Sequence, residues 1–228
     1  ESSQMADLTT IYVVRHGQSF FNATENIESI KHDGEFGSPL TPEGKAQSKA
    51  LAYKLKDINF AAILSSDLNR TIETAEIIAA QDNLKVETNN TIRERSIFDY
   101  LNSRDGLKRD GLDNLNSEIH RDLAKLDEKA KMNYKHTSNM ESAEEGALRL
   151  FKFILGAEAK YHGKTILIVS HGNIMRSLLT YLGWVKYNEL PSGSIKNTGY
   201  FILQVDGDSF KVTQTSGINR QTGKFRTF

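Results

Sequence analysis

The sequence has no cysteine. That absence excludes disulfides, thiolate nucleophiles and cysteine-ligated zinc or iron–sulfur centres, and with them the cysteine-dependent phosphatases and proteases. Net charge is missing too. Lys+Arg and Asp+Glu both number 29, so there is no bulk field of the kind that holds nucleic acid or an anionic membrane, and any anion site must be local. Long hydrophobic runs are equally scarce: Ile77 to Ala80 and Ile166 to Val169 fall far short of the roughly 20 residues a membrane span needs. Nor does Glu1-Ser2-Ser3-Gln4-Met5 show the basic, apolar and small-residue zones of a signal peptide. Residues 1–4 read as an appended remnant ahead of Met5, and a cytoplasmic location is the expectation.

What is present describes a soluble protein. The chain has 228 residues, 38% of them hydrophobic and 25% charged, which suits one domain over residues 5–228 with a sizeable core and excludes disorder and fibres. No repeat or low-complexity tract interrupts it. Thr9 to Val14 is β-branched and aromatic and predicts a buried strand. Thr41-Pro42-Glu43-Gly44 predicts a helix start, with Thr41 as N-cap and Pro42 at the first position, running to about Asp57. A short strand over Phe60–Leu64 follows. Ser65-Ser66-Asp67 then caps a helix whose stripe is Leu68, Ile72, Ala75 and Ala79, and Lys85–Thr88 predicts another strand. A polar stretch from Arg95 to about Gly111 precedes Leu112, Leu115, Ile119, Leu123 and Leu126 at helical spacing, so residues from about 97 to 140 form a helical cap insertion. A helix over about 142–161 leads into Thr165–Val169, a continuous apolar run expected of a central strand covered on both faces. Ser170-His171-Gly172-Asn173 opens a helix through Ile174, Leu178, Leu179 and Leu182. Tyr200–Val205 and Ser209–Thr215 form a hairpin about Asp206-Gly207.

Alternating strands and helices imply an α/β fold, a mostly parallel sheet with helices on both faces, which binds ligands at the carboxyl ends of its strands. Three polar clusters lie at such ends: Arg15-His16-Gly17, Ser65-Ser66-Asp67 with Arg70 beyond, and Ser170-His171-Gly172. They bring two arginines and two histidines to one crevice, which describes a phosphate site, because a guanidinium binds phosphate oxygens bidentately. A histidine beside a fixed positive charge makes a poor metal ligand, and no partner follows at ligand spacing. A nucleophile is the better reading, since imidazole attacks phosphorus through an unprotonated nitrogen.

Four motifs carry a resemblance. Arg15-His16-Gly17-Gln18-Ser19 with Asn22, Leu40-Thr41-Pro42-Glu43-Gly44, Ser65 to Thr71 with Ala75, and Ile92-Arg93-Glu94 together with Val169-Ser170-His171-Gly172 resemble, in order and spacing, the histidine phosphatase superfamily in its phosphoglycerate-mutase-like branch. The resemblance implies a three-layer αβα sandwich. It also implies that His16 takes the phosphoryl group, that Arg15, Arg70 and His171 stabilise its oxygens, and that Glu94 protonates the leaving oxygen. Asn22 and the backbone N–H of Gly172 would contact the phosphoryl oxygens. Phosphoryl transfer rests on positioning and complementary charge, so no metal or cofactor is called for.

The chain also departs from that pattern. Arg95 to Leu101 stands where many family phosphatases carry an F-G-x-W-E-G-like stretch, Gln18 replaces the commoner Glu, and the insertion lacks the R-R-S-Y-D-x-P-P-P-like segment of cofactor-dependent phosphoglycerate mutases. Arg93, Arg95, Arg104, Lys108 and Arg109 face only Glu94, Asp99 and Asp105, a surplus that suits a solvated loop or the guidance of an anionic substrate. The tail from Ser216 to Phe228, with Arg220, Lys224 and Arg226 and no acid, is expected to be mostly flexible. Asp206-Gly207-Asp208 reads as a hairpin turn rather than an aspartyl-phosphatase motif. Gly163-Lys164-Thr165 is no P-loop, because Glu158 stands where the first glycine belongs. His32, His120, His136 and His162 read as solvated or structural. The expectation is metal-independent hydrolysis of a small phosphorylated metabolite through a phosphohistidine, with phosphoglycerate mutase as the alternative and neither nucleic acid nor membrane as a partner. The oligomeric state is left open.

Overall fold

A computed structural model of the chain describes residues 8–23, 37–95 and 117–221. His32, residues 1–7, most of the predicted insertion's polar half and residues 222–228 lie outside them. In chain order the elements are β1 (Thr9–Arg15), α1 (Phe20–Ala23), α2 (Pro42–Lys54), β2 (Ala62–Ser65), α3 (Asn69–Ala79), β3 (Val86–Thr88), α4 (Glu128–Asn133), α5 (Ala143–Lys160), β4 (Thr165–Ser170), α6 (Gly172–Tyr181), β5 (Ile195–Asp206) and β6 (Ser209–Ile218). The strands form one sheet in the order β3-β2-β4-β1-β5-β6. β1 to β4 are mutually parallel where they pair, while β5 and β6 run antiparallel.

Alternation along the strands divides the core into two halves. Ile11, Val13, Ala62, Leu64, Ile166, Ile168, Phe201 and Leu203 face α5 and α6, which contribute Leu150, Ile154, Ile174, Met175 and Leu178. Tyr12, Val14, Ile63, Leu167, Val169, Tyr200 and Ile202 face α2 and α3, which contribute Leu51, Ala52, Ala75 and Ile78. Each fully buried aliphatic side chain contributes about 2 kcal/mol, and β4 supplies them to both halves, as its unbroken apolar run requires. The result is a three-layer sandwich with β4 in the interior of the sheet.

Several boundaries differ from the sequence reading. α2 ends at Lys54 rather than Asp57, and β2 starts at Ala62 rather than Phe60. The buried stripe of α3 is Thr71, Thr74, Ala75, Ile78 and Ala79, while Leu68 and Ile72 are only half-buried, because two threonines are drawn inward to bond the backbone. Leu68 occupies its cap position without a side-chain bond, since Ser66 and Asp67 are engaged elsewhere. In the insertion, the helical stretch at 117–123 gives way to a turn at Leu126 before α4 restarts on its Asp127 cap, so the leucine stripe is not one helix. The hairpin is longer than predicted: β6 reaches Ile218, and Asn219 and Gln221 donate backbone bonds to Ser194 and Glu189. Residues 216–221 therefore belong to the packed fold, with Arg220 paired to Glu189 and stacked over Trp184.

Candidate active site

The carboxyl ends of β1, β2 and β4 lie side by side, with Arg15 in register with Ser170 and Ser65 with Val169. His16 leaves β1 with its backbone N–H on Ser170 and its carbonyl accepting from Thr198 N–H and the Asn197 amide. The turn that follows is seated on two helices. Gly17 N–H donates to the Thr74 hydroxyl of α3 at 3.0 Å, and Gln18 N–H donates to Gln47 of α2. Thr41 caps α2 through Gly44 N–H and donates its own hydroxyl to the Gln18 side chain at 2.8 Å. The helix start packs so closely on this turn that a Cβ at Gly44 would lie 1.9 Å from the Gln18 carbonyl oxygen. That is the physical reason for glycine three residues after the capping threonine.

The imidazole of His16 is buried. Its Nδ1 stands 2.6 Å from the Gly17 carbonyl oxygen, which can only accept, so Nδ1 carries the proton and Nε2 the lone pair. Arg70 Nε donates to that Nε2 at 3.2 Å, and Arg70 Nη2 reaches His171 Nδ1 at 3.3 Å. Because a guanidinium has no acceptor, His171 is protonated on Nε2, which faces the Ser66 hydroxyl at 3.0 Å. The two rings lie 5.3 Å apart. Arg15 donates to the Ile195 carbonyl, while its Nε is buried without a partner. It lies against Gly172, where a Cβ would come within 3.2 Å of that Nε. An orphaned guanidinium N–H in a cationic crevice is the donor an anion would satisfy.

Burial, and then the Arg70 and Arg15 charges, hold His16 well below the ordinary histidine range. Burial and Arg70, followed by His16, Arg15 and Arg149, do the same to His171. Both rings are therefore neutral in the native protein, whereas the unfolded chain protonates them below about pH 6.5. The sign follows: the unfolded state binds more protons than the native state in acid, so stability holds above that pH and declines below it. We expect the denaturation midpoint to fall as pH drops from about 6.5 to 5, by up to about 1.4 kcal/mol per pH unit for each histidine. Urea titrations in phosphate-free buffer check this, and His171→Asn should flatten the slope. A profile as flat as that between pH 7 and 8 would refute it.

Glu94 follows a short 3-10 turn over Asn90–Ile92. Its carboxylate accepts from Asn173 N–H at 2.9 Å, Ile174 N–H at 2.8 Å and Arg95 N–H at 2.9 Å. α6 has no cap of its own, because its N-cap residue is His171, and Glu94 caps it from a distant loop. Asn22 lies exposed at the rim, its amide oxygen accepting from Ser19 N–H and, at 3.4 Å, from Asn197. The structure thus brings His16, Arg70, His171, Arg15 and Gly172 to one crevice, with Glu94 on the adjoining helix end and Asn22 at the edge.

Sequence reasoning missed the supporting residues. Ser66 and Thr74 fall inside the Ser65–Ala75 motif but were given no role there, and Asn197 gave no signal. Asp67 and Arg93 form a two-point ion pair at 2.7 and 2.8 Å that ties two motifs together, which removes Arg93 from the predicted surplus of loop charge. Arg95 is buried rather than solvated; Arg104, Lys108 and Arg109 lie outside the described residues. Among the described residues no helix is long and apolar enough to cross a membrane.

Known proteins share the family and the fold. The profile of the histidine phosphatase superfamily (branch 1) matches residues 11–216. A stretch of 84 residues is 38% identical to the probable phosphoglycerate mutase GpmB of Yersinia enterocolitica, and covers 37% of this chain and 37% of that protein. The chain therefore matches little more than a third of the length of such curated relatives. YhfR of Bacillus stearothermophilus superposes with a TM-score of 0.73 at 24% identity, over 92% of this chain and 97% of that one. A mycobacterial glucosyl-3-phosphoglycerate phosphatase does so with a TM-score of 0.70 at 20% identity, over 94% and 100%. At these identities the two structures speak for the fold.

Proposed function

This chain belongs to the histidine phosphatase superfamily; from that premise we propose that it is an enzyme of the phosphatase or mutase kind, and that it hydrolyses small phosphomonoesters, without a metal, through a phosphohistidine on His16. The observation that carries the reading is the placement of Arg70 between His16 Nε2 and His171 Nδ1. An arriving phosphoryl group takes Arg70's N–H bonds onto its oxygens and uncovers the Nε2 lone pair. Nε2 then forms the bond to phosphorus as the ester P–O bond breaks, and Glu94, which enters this step as the carboxylic acid, gives the leaving oxygen its proton. Water next attacks the phosphohistidine, its proton passing to Glu94 as the N–P bond breaks. Arg15 and Arg70 offset charge on the transferring oxygens throughout, the task a metal performs in other phosphatases, and His171 joins them only by taking a proton on the Nδ1 that Arg70 vacates.

Hydrolysis is favoured over mutase activity because the insertion lacks the proline-rich mutase segment and because water has to be excluded for a mutase to retain its intermediate. The relation to a probable phosphoglycerate mutase makes mutase activity the second reading. The test supplies 3-phosphoglycerate with catalytic 2,3-bisphosphoglycerate, in the presence of EDTA, and measures free phosphate against 2-phosphoglycerate. Phosphate release should predominate and withstand EDTA. Isomerisation greatly outpacing release would reverse the assignment, and strict Mg²⁺ dependence would remove the metal-independent mechanism.

A further inference from the structure

The segment that delivers Glu94 leaves the sheet after β3 and enters no ladder, so its carbonyls depend on side chains for partners. Arg149, on the second turn of α5, supplies them. Its guanidinium donates to the carbonyls of Thr91, Arg93 at 3.1 Å and Glu94 at 3.5 Å. The same group is locked from behind by Glu141, with Nε on Oε1 at 2.7 Å and Nη2 on Oε2 at 2.8 Å. Glu141 lies just ahead of α5, whose start is fixed by the reciprocal bonds of Ser142 and Glu145. Glu94 is thereby held at both ends: α6 holds the carboxylate, and α5, through Arg149, holds the main chain.

We propose that Arg149, anchored by Glu141, is a positioning residue that sets the reach of the Glu94 carboxyl to the leaving oxygen. The inference rests on Glu94 acting as the general acid. It follows from the geometry of the guanidinium, whose planar fork serves a carboxylate on one edge and carbonyls on the other, as an ammonium cannot. Displacement of an acid by a fraction of an ångström is felt most where proton transfer limits the rate.

The test compares kcat and KM for p-nitrophenyl phosphate, whose leaving group needs little protonation, with ethyl phosphate, whose leaving group needs it most. Arg149→Met should lose roughly tenfold to a hundredfold more kcat on ethyl phosphate than on p-nitrophenyl phosphate, with KM changed little. Arg149→Lys should fall between it and the unaltered protein. Glu141→Gln, which keeps every atom of Arg149, should move in the same direction by less, and stands in if Arg149→Met fails to fold. In a Glu94→Gln background the Arg149 substitutions should no longer change the ratio of the two rates. Equal losses on both substrates, or a further change of ratio in that background, would overturn the positioning role. Insensitivity of the ratio to Glu94→Gln alone would overturn the acid assignment itself, a separate result.

Discussion

His16→Ala should reduce turnover of any phosphomonoester by roughly 10⁴-fold or more, the scale of loss when a covalent nucleophile is removed. Among the described residues no other side chain in the crevice can take its place. The second imidazole, His171, presents Nδ1 to Arg70 and has its other nitrogen on Ser66, and it lies across the site rather than on the turn at the end of β1. The variant should also fail to form the acid-labile, base-stable phosphoenzyme that a phosphohistidine gives, measured by ³²P incorporation after rapid quenching in alkali. The fold should survive, because the backbone bonds of residue 16 to Ser170 and Thr198 do not involve the ring. Substantial residual turnover, or labelling of the variant equal to that of the parent, would remove His16 from the chemistry.

The second large effect is expected at Glu94, and it is twofold. Glu94→Gln keeps an oxygen for one of the two α6 amides, which bond separate oxygens of the glutamate, but has no proton to give, so alkyl phosphates should lose about 10²- to 10⁴-fold while p-nitrophenyl phosphate loses far less. Glu94→Ala adds a structural loss. With His171 at the cap position and bonded sideways, the amides of Asn173 and Ile174 forfeit their acceptor, which should cost about 1 kcal/mol of stability. The two substitutions therefore help to separate chemistry from capping: a larger fall in urea midpoint for alanine, which loses both acceptors, than for glutamine, which keeps one, is the expected pattern. Equal rate losses on both substrates in Glu94→Gln would instead make Glu94 a binding group.

Much of this was legible in the amino acids. The apolar run of β4, the Thr41 cap with Pro42, and the polar clusters closing three strands were enough to place two histidines and two arginines together, because parallel strands deliver their ends to one edge. The helix ends near the site were less legible. Ser65-Ser66-Asp67 has the composition of a helix cap, yet none of the three caps: Ser65 bonds the neighbouring Ser66 carbonyl, while tertiary partners claim Ser66, which goes to His171, and Asp67, which goes to Arg93. Conversely, α6 starts with a residue of no capping ability and borrows a carboxylate from 77 positions earlier in the chain, a contact of Glu94 with His171's helix that no local pattern encodes. The role of Arg149 was hidden for the same reason. In sequence it is one more cation on an amphipathic helix, and its meaning lies in the carbonyls of a loop that has no periodicity to read.

The bond from Arg70 to the lone pair of His16 also bears on what the empty protein will react with. A buried, neutral imidazole is a good nucleophile toward many electrophiles, and an unguarded one would be consumed by adventitious alkylation or acylation. Here the Nε2 nitrogen is masked by the Arg70 N–H, which a better acceptor would have to draw away. An uncharged reagent offers a guanidinium at most a weak acceptor, whereas a phosphate ester offers several anionic oxygens at once. On the proposed mechanism the guard and the binding group are the same side chain, so chemical selectivity would be exercised before any contact with the rest of the substrate is made.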